Sequence, residues 1–426
     1  MRVLIVGAGI GGLTTALSLH AAGIDVDVVD SARELRPLGV GINLLPHATR
    51  ELTDLGLADA VAGTALSAES FVHFDRHGNR VWGESRGLAL GYSWPQYAVH
   101  RGELQMLLLA AVRERLGADA VRTGAAFVDF ADGPDQVTAR LRDQATGAEF
   151  TIAADALVGA DGLHSAVRRR LHPGEGAPLW NGVRMWRGVT EADPFLDGRT
   201  VAIIGTRFVA KLVVYPISRE ADDRGRALLN WLGEVQLPAD ELTEAPDWNR
   251  EGRVEDVLPH FADWRIGWLD VPGLISGARQ ILEYPMVDRD PLPFWSRGRV
   301  TLLGDAAHPM YPFGSNGGSQ AILDARALAY ELARAGSATA GLAAYEVVRR
   351  EPVNAIVLAN RSDRSDVIMG EVARRAPDGF DRTDEVLSAD EIARLAGGYR
   401  SISHTDELTA GSPWTLPPRR GHLASA

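Results

Sequence analysis

The residues whose types and spacing suggest chemistry most clearly stand near the start of the chain, in the pattern Gly7-x-Gly9-x-x-Gly12. An unbroken apolar run precedes them, apolar residues follow at helical spacing, and a second apolar run ends on Asp30, about twenty residues past the glycines. The glycines allow a tight turn close to a pyrophosphate, and the carboxylate can accept hydrogen bonds from a ribose. A helix start would offer free N–H groups to phosphates. Glycine turns are common in a chain with 45 glycines, but this context predicts a dinucleotide site.

Two later stretches repeat the arrangement of an apolar strand that ends on glycine and an acid. The first is Gly-Ala-Asp-Gly at residues 159–162, and the second is Gly-Asp-Ala-Ala-His-Pro at residues 304–309. Ligands of parallel α/β sheets collect at the carboxyl ends of the strands, which is where these acids stand. A glycine-rich turn at residues 314–318 then opens a long helical pattern whose first N–H groups can face an anionic ligand.

Two further positions carry weaker signals. Arg101 begins a helical pattern, where the helix dipole disfavours a cation, so the sequence suggests a compensating anion; a solvated arginine is the alternative. Gly39 and Gly41 lie in an irregular segment and suggest backbone that passes close to a bulky group. An ordinary surface loop is the alternative there.

Composition limits the remaining function classes. A chain of 426 residues is long enough for two domains or more. Its net charge of −12 argues against a nucleic-acid or anionic-membrane partner, and no apolar run approaches the roughly 18 residues of a spanning helix. The absence of cysteine excludes disulfides, thiolate catalysis and cysteine–metal sites, and the histidines show no metal-ligand spacing, so we expect no metal site. We expect a cytoplasmic protein.

The middle of the chain changes to alternating, aromatic-rich segments that are typical of strands. The pattern predicts strands at residues 183–190, 200–204, 208–217, 227–235 and 280–287, and a hairpin at 71–82. We interpret these as an antiparallel sheet with one covered face and an amphipathic helix from residue 254 to 261 laid against it. The sheet would form a second domain inserted into the first.

The order of the three glycine–acid motifs resembles that of the single-component FAD-dependent aromatic hydroxylases. Further stretches look like the phenazine-biosynthesis branch of that family, and the likeness runs from residue 1 to about 361. These stretches are residues 37–43, 100–106, 185–191, 284–293 and 319–324. Ser315 and Ser319 depart from the common family turn, which has glycine and asparagine there, and Pro309 replaces a leucine of the branch.

The resemblance implies an α/β fold with a Rossmann-like FAD-binding domain, an inserted antiparallel-sheet substrate domain and C-terminal helices. The first domain would comprise residues 1–70, 99–180 and 295–365, and the second residues 71–98 and 181–294. Residues 366–426 would form a C-terminal helix and tail. Non-covalent FAD would be bound by eleven residues of this chain. They are Gly7, Gly9, Gly11, Gly12, Asp30, Gly41, Arg101, Asp161, Asp305, Gly317 and Gly318.

The reaction implied by the resemblance is a monooxygenation that consumes O₂ and NAD(P)H, with NADH expected over NADPH. The substrate would be an aromatic or N-heteroaromatic, phenazine-like carboxylate, and its carboxylate would leave as CO₂ if oxygen attacks the carbon that bears it. Two alternatives remain open. One is plain hydroxylation of a salicylate- or hydroxybenzoate-like ring, and the other is a flavin reductase or scaffold that does not oxygenate.

The substrate would lie between the antiparallel sheet and the flavin. Lys211 and Tyr215 share a strand face by period-two spacing, so the lysine can hold a substrate carboxylate. The alternative is that Lys211 is exposed and the aromatic residues belong to the core. The candidate lining residues are Arg187, Lys211, Tyr215, Trp231 and Tyr284.

Overall fold

The computed structural model describes residues 1–238, 250–362, 364–396 and 411–415. The strands of these residues are β1 (Arg2–Val6), β2 (Asp25–Val29), β3 (Gly41–Leu44), β4 (Leu66–Ser67), β5 (Ser70–Phe74), β6 (Arg80–Ser85), β7 (Tyr97–His100), β8 (Val121–Arg122), β9 (Ala125–Asp132), β10 (Val137–Asp143), β11 (Glu149–Ala154), β12 (Ala156–Gly159), β13 (Leu179–Ala192), β14 (Thr200–Thr206), β15 (Ala210–Pro216), β16 (Ala227–Gln236), β17 (Arg250–Gly252), β18 (Ile281–Asp288), β19 (Ser296–Arg297) and β20 (Val300–Leu302). The helices are α1 (Ile10–Ala21), α2 (Pro46–Asp54), α3 (Ala58–Thr64), α4 (Arg101–Leu116), α5 (Ala166–Leu171), α6 (Arg219–Asp223), α7 (Val254–Val257), α8 (Val271–Ser276), α9 (Asn316–Arg334), α10 (Ala338–Asn360), α11 (Arg364–Arg375) and α12 (Ala389–Ala396). Among these helices, none is both long and apolar enough to cross a bilayer.

The three glycine–acid motifs leave the same edge of one sheet. This six-stranded sheet has the order β19-β20-β12-β1-β2-β8, and all neighbours are parallel except the edge pair β19 and β20. Strands β1, β12 and β20 are almost wholly buried, as their largely apolar sequences predict for a sheet covered on both faces. Since β12 lies between β1 and β20, and Gly159 is in register with both Val6 and Leu302, the turns after residues 6, 159 and 302 lie side by side.

Two small antiparallel sheets attach to this core. Strands β9, β10 and β11 form a meander that connects the β8 edge to β12. Strands β3, β7 and β4 form the other small sheet, in which Gly41 pairs with His100. This pairing brings the Gly41 segment to the start of α4.

The second large sheet has eight strands in the order β17-β18-β13-β16-β15-β14-β5-β6. The predicted strands and hairpin are present, although β15 begins at Ala210 because Phe208 lies in the preceding turn. The sheet is antiparallel except where β5 joins β14 in parallel. The helix predicted for residues 254–261 is shorter: α7 gives way to a 3₁₀ turn at Pro259, whose ring removes a backbone donor.

The prediction of a single covered face is wrong for this sheet. One face packs against α7 and α8 in a cluster that includes Phe261 and Trp231. The other face packs against Tyr311 and Phe313, which belong to the segment between the third motif and α9. The sheet therefore lies between its own helices and the nucleotide-binding part, with most of β16 buried.

The C-terminal part contributes more than one helix. Helix α11 packs at the edge formed by Val81, where Ile368, Met369 and Val372 form a small buried cluster. Helix α12 follows, and residues 397–410 and 416–426 of the predicted tail lie outside the described residues. Residues 411–415 are placed back against α2 and α9, where Trp414 packs on the main core.

Candidate active site

The first glycine turn leaves an open groove at the start of α1. Gly7 has a φ of +111°, which favours glycine, and a Cβ at Gly12 would lie 1.9 Å from the carbonyl oxygen of Gly7. A Cβ at Gly9 would meet no atom within 4 Å, so the backbone there borders empty space. Gly11 faces the other way, because its Cβ would press on Leu303 at 2.8 Å. The geometry fits a pyrophosphate over Gly9 at the helix N-terminus.

Asp30 stands beside this turn and fixes its shape. Its carboxylate accepts hydrogen bonds from the backbone N–H groups of Ala8 at 2.7 Å and Ala32 at 2.8 Å. The side chain of Gln105, on α4, donates to the carbonyl oxygen of Ala8 at 2.8 Å. The carboxylate therefore has a structural role in this turn, and its position beside the groove fits the ribose contact expected from the sequence.

Arg101 is the first residue of α4, as the sequence indicated. Its backbone N–H donates to the carbonyl oxygen of Val40 at 2.9 Å, and its exposed side chain passes 3.7 Å from the Cβ position of Gly39. Among the described residues its guanidinium has no carboxylate within ion-pair distance, which leaves it available to an anion in the groove.

The third motif forms the opposite wall. Gly304 has a φ of +59°, and the 3₁₀ turn that begins there leaves Asp305 exposed. A Cβ at Gly317, at the start of α9, would lie 3.9 Å from the Asp305 carboxylate, and one at Gly318 would lie 3.6 Å from Ile42. The Gly9 and Gly317 sides are both open, and two helix N-termini face the groove. These features fit FAD, whose ADP part would lie over the first turn and whose flavin would lie towards α9.

A buried network supports the Asp305 turn from below. Asp324, wholly buried on α9, accepts from the backbone N–H of Gly304 at 3.1 Å and lies 2.6 Å from Nε2 of His308. Its other oxygen accepts from Nε of Arg349 at 2.8 Å. Burial alone would raise the pKa of Asp324, but the charges and hydrogen bonds of His308 and Arg349 hold it below its ordinary value. Both ends of the turn are therefore tied to one carboxylate.

Asp161 is placed differently from the cofactor contact expected of it. Its carboxylate accepts from the backbone N–H groups of Ala166 at 2.7 Å and Val167 at 3.2 Å and from the Ser165 hydroxyl at 2.5 Å. These groups form the first turn of α5, so the acid is engaged with its own helix start. Burial raises the pKa of Asp161, and these hydrogen bonds oppose that shift. The sequence pattern of strand, glycine and acid did not distinguish a ligand contact from this cap.

Gly41 joins the groove to the eight-stranded sheet. Its N–H donates to Oδ1 of Asn230 at 2.7 Å, and its carbonyl oxygen accepts from Nη2 of Arg187 at 2.8 Å. A Cβ at this position would lie 2.7 Å from both Asn230 and Ile217, so only glycine fits. The close approach that the sequence suggested at Gly41 is therefore made by the sheet.

Arg187 carries its charge into this junction, and among the described residues no carboxylate lies within ion-pair distance of its guanidinium, although Glu234 interacts with it from farther away. Burial lowers the pKa of its guanidinium, while Tyr215 and Tyr284 oppose that shift. Its Nε is buried and has no hydrogen-bond acceptor within the described residues. Burial raises the pKa of Tyr215, and the nearby arginine opposes the rise. Three predicted substrate residues, Arg187, Tyr215 and Tyr284, thus lie together beside Gly41.

Lys211 shares the face of Tyr215 but does not lie on an exposed surface. Its side chain is 4% exposed, and its Nζ is 3.3 Å from Asp366 on α11 and 3.6 Å from Glu234. It also lies 5.0 Å from the ring centre of Phe313. The alternative of an exposed lysine is therefore wrong, and the lysine charge is balanced by protein acids.

Trp231 does not join the predicted substrate residues. It pairs with Val214 and Gly188, on the face of the sheet that Lys211 and Tyr215 do not occupy. It is wholly buried, and its Nε1 donates to the Thr190 hydroxyl at 3.2 Å. It belongs to the core beneath α7 and α8.

Several residues that shape the site were missed at the sequence level. Asn230 holds Gly41, Gln105 holds Ala8, and Asp324 holds the Asp305 turn. The one local signal was polarity at a core position, since Asn230 interrupts an apolar strand and Asp324 an apolar helix face.

Comparisons with known proteins place the chain in a family. A family profile for the FAD binding domain matches residues 1–186 and 289–360. The chain is 52% identical to the phenazine 1,6-dicarboxylic acid hydroxylase PhzS of Lysobacter antibioticus, over 94% of this chain and 96% of that protein. It is 32% identical to 3-hydroxybenzoate 6-hydroxylase 1 of Aquipseudomonas alcaligenes, over 82% and 84% of the two chains.

A solved structure shows the same architecture. The crystal structure of Klebsiella pneumoniae HpxO complexed with FAD and uric acid superposes with a TM-score of 0.72 at 25% identity, over 94% of this chain and 98% of that chain. The predicted α/β fold with a Rossmann-like FAD domain, antiparallel sheet and C-terminal helices is confirmed, and FAD is its cofactor. The chain belongs to the family of single-component FAD-dependent aromatic hydroxylases, as the order of its three motifs indicated.

Proposed function

We propose that this enzyme uses NADH, in preference to NADPH, and O₂ to hydroxylate an N-heteroaromatic carboxylate of the phenazine type. The observation that carries the proposal is Arg187, a partly buried cation beside Gly41. Its acidic neighbour Glu234 lies beyond ion-pair distance and is itself paired with Lys211. A partly buried charge with no carboxylate in direct contact is incompletely compensated, so a ligand that brings an anion to the guanidinium binds favourably there. A carboxylate on the substrate supplies that anion.

The surroundings of Arg187 favour an aromatic ring. Its face of the sheet carries Tyr284, which lies within an apolar cluster of Met185, Leu232 and Phe313. Apolar and aromatic walls with one convergent charged group are typical of small-molecule sites. The guanidinium fork can bind a carboxylate through two hydrogen bonds and so fix the orientation of the ring.

The chain's own residues have positioning roles in this proposal. Bound FAD supplies the redox chemistry, since it takes hydride from the nicotinamide and activates O₂. Arg187 would orient the substrate against the Gly41 side of the groove, and the apolar cluster would exclude water from the reacting ring. Hydroxylation consumes one NADH, one O₂ and one proton for each ring hydrogen replaced by hydroxyl, and it yields NAD⁺ and water.

The proposal also specifies which carboxylate of the substrate can be lost as CO₂. Replacement of a carboxylate by hydroxyl consumes one further proton and releases CO₂. A guanidinium stabilises the charge of the carboxylate it binds, which opposes departure of that group as neutral CO₂. A carboxylate held by Arg187 is therefore retained, whereas one on the carbon attacked by oxygen can leave. The 52% identical relative is named for a substrate with two carboxylates, which fits this division.

The experiment compares carboxylate with carboxamide. We expect wild-type protein to turn over phenazine-1-carboxylate with a higher kcat/KM than phenazine-1-carboxamide, and Arg187→Met to remove that preference. One charge-assisted hydrogen bond corresponds to a roughly ten- to hundredfold difference in kcat/KM between the two substrates. Arg184→Met is a matched control, since Arg184 lies on the same strand but pairs with Glu283 on the other face. An unchanged preference in Arg187→Met would contradict the assignment.

A further inference from the structure

Residues 411–415 dock on the first domain at a place where two helices that begin at the flavin groove lie side by side. The Ser412 hydroxyl donates to Oε2 of Glu51 at 2.7 Å, and the Thr415 hydroxyl donates to Asp54 at 2.9 Å. Both acids lie on α2. The carbonyl oxygen of Trp414 accepts from Arg326 of α9 at 3.5 Å.

Glu51 makes this docking more than a surface contact. It is wholly buried, and its carboxylate is ion-paired with Nε of Arg50 and Nε of Arg326, each at 3.0 Å. A buried carboxylate needs all of its hydrogen bonds, because each missing donor leaves a desolvated charge. The Ser412 hydroxyl is one of the donors that Glu51 uses.

A second contact connects the same segment to the flavin turn. The guanidinium of Arg349, on α10, lies 5.6 Å from the ring centre of Trp414. Arg349 also donates to Asp324 at 2.8 Å and to Oε1 of Gln320 at 2.6 Å. Asp324 in turn holds the backbone N–H of Gly304 and the His308 ring. The contacts are continuous from the Trp414 ring to the turn that carries Asp305.

Helix α2 also connects residues 411–415 to the groove. Helix α2 follows directly on β3, the strand of Gly41, and the backbone N–H of Leu45 donates to the Ser319 hydroxyl of α9 at 3.0 Å. The segment therefore bridges elements that form both sides of the flavin end of the groove.

We propose that residues 411–415 form a C-terminal strap that preorganises the flavin turn, with Trp414 as a positioning residue that acts through Arg349 and Asp324. The proposed role of the strap depends on the proposed function, in which FAD binds against Asp305. The strap's contacts are with α2, α9 and α10, away from the sheet residues proposed for the substrate, so it should affect binding of the cofactor and leave the choice of substrate to the sheet. Coupling of this kind is reciprocal: the strap strengthens FAD binding, and FAD strengthens strap docking by the same factor.

The test measures FAD affinity of apoprotein by flavin fluorescence. A cation–π contact corresponds to an affinity change on the order of two- to thirtyfold, so we expect Trp414→Ala to weaken FAD binding by that factor. Trp414→Phe keeps a ring over Arg349 and should restore most of the affinity. Truncation after residue 410 should weaken binding at least as much as Trp414→Ala, whereas truncation after residue 415 is the matched control that leaves it unchanged.

Two outcomes would overturn the strap. One is an unchanged FAD affinity after truncation at residue 410. The other is loss of affinity in both Trp414→Ala and Trp414→Phe, with an equal fall in the unfolding midpoint of the apoprotein, which would mean a structural contact only. The reciprocal measurement is hydrogen exchange at the Trp414 amide, which donates to Ser412 and should exchange more slowly when FAD is added. The FAD titration contains no substrate, so failure of the strap and failure of the proposed reaction are distinguishable.

Discussion

Asp161 and Asp305 show at the scale of single residues how the same sequence pattern leads to different roles. Each follows a buried parallel strand and a glycine turn. The Asp161 carboxylate is engaged with the first turn of α5, whereas Asp305 is exposed at the groove opposite Gly317. The first acid therefore stabilises the protein, and the second remains available to a ligand.

This difference predicts opposite effects of substitution. Asp305→Ala should weaken FAD binding by roughly ten- to a hundredfold with little change in the unfolding of the apoprotein, because we propose that its partner is the ligand. Asp161→Ala should lower the free energy of unfolding by about 0.5–2 kcal/mol through loss of the helix cap. Flavin titration and urea unfolding of both variants measure the two quantities. Equal effects of the two variants on FAD affinity would contradict these placements.

Helix α11 shows how a buried charge can attach one element to another. Asp366 is 1% exposed and lies 3.3 Å from Lys211 on β15 and 3.4 Å from Arg207 in the turn between β14 and β15. Removing one partner of a buried pair leaves an uncompensated charge, which costs more than the pair itself contributes.

Asp366→Asn should therefore lower the free energy of unfolding by about 3–5 kcal/mol. Asp222→Asn is the comparison, because Asp222 forms a solvent-accessible pair with Arg199 that should contribute only about 0–1 kcal/mol. Urea unfolding followed by tryptophan fluorescence gives both values. If the two substitutions cost the same, α11 does not depend on its buried acid.

The contact between α9 and α10 through Asp324 should make a pH-dependent contribution to the free energy of unfolding. Because the pKa of Asp324 is held below its ordinary value of 3.8, its contribution to the free energy of unfolding is present above that pH and is lost as the pH falls through the folded-state pKa. The difference in unfolding free energy between wild type and Asp324→Asn should be largest near neutral pH and should shrink in acid. Urea unfolding at a series of pH values measures it, and a constant difference would argue against an ionised Asp324.

At the scale of the whole molecule, the sequence predicted the features that depend only on residues close together in the chain. The glycine turns, the strands and the Gly41 approach follow from neighbouring residues and period-two spacing. The face of the sheet that Trp231 occupies depends instead on its pairing with Val214. A register shift of one residue would move every side chain of the strand to the opposite face. The burial of Lys211 likewise depends on Asp366, which is distant in the chain. The predicted division into two domains remains a prediction.

The product of the reaction tests the proposed function most directly. Wild-type protein would be incubated with FAD, NADH, ¹⁸O₂ and, separately, phenazine-1-carboxylate, phenazine-1,6-dicarboxylate and 3-hydroxybenzoate, and each product analysed by mass spectrometry. We expect a phenazine product that gains one labelled oxygen and retains the carboxylate held by Arg187, with loss of CO₂ only where the attacked carbon bears a carboxylate. A labelled hydroxybenzoate product alone would favour the smaller-ring alternative. Labelled hydrogen peroxide alone, with every substrate unchanged, would contradict the proposed reaction.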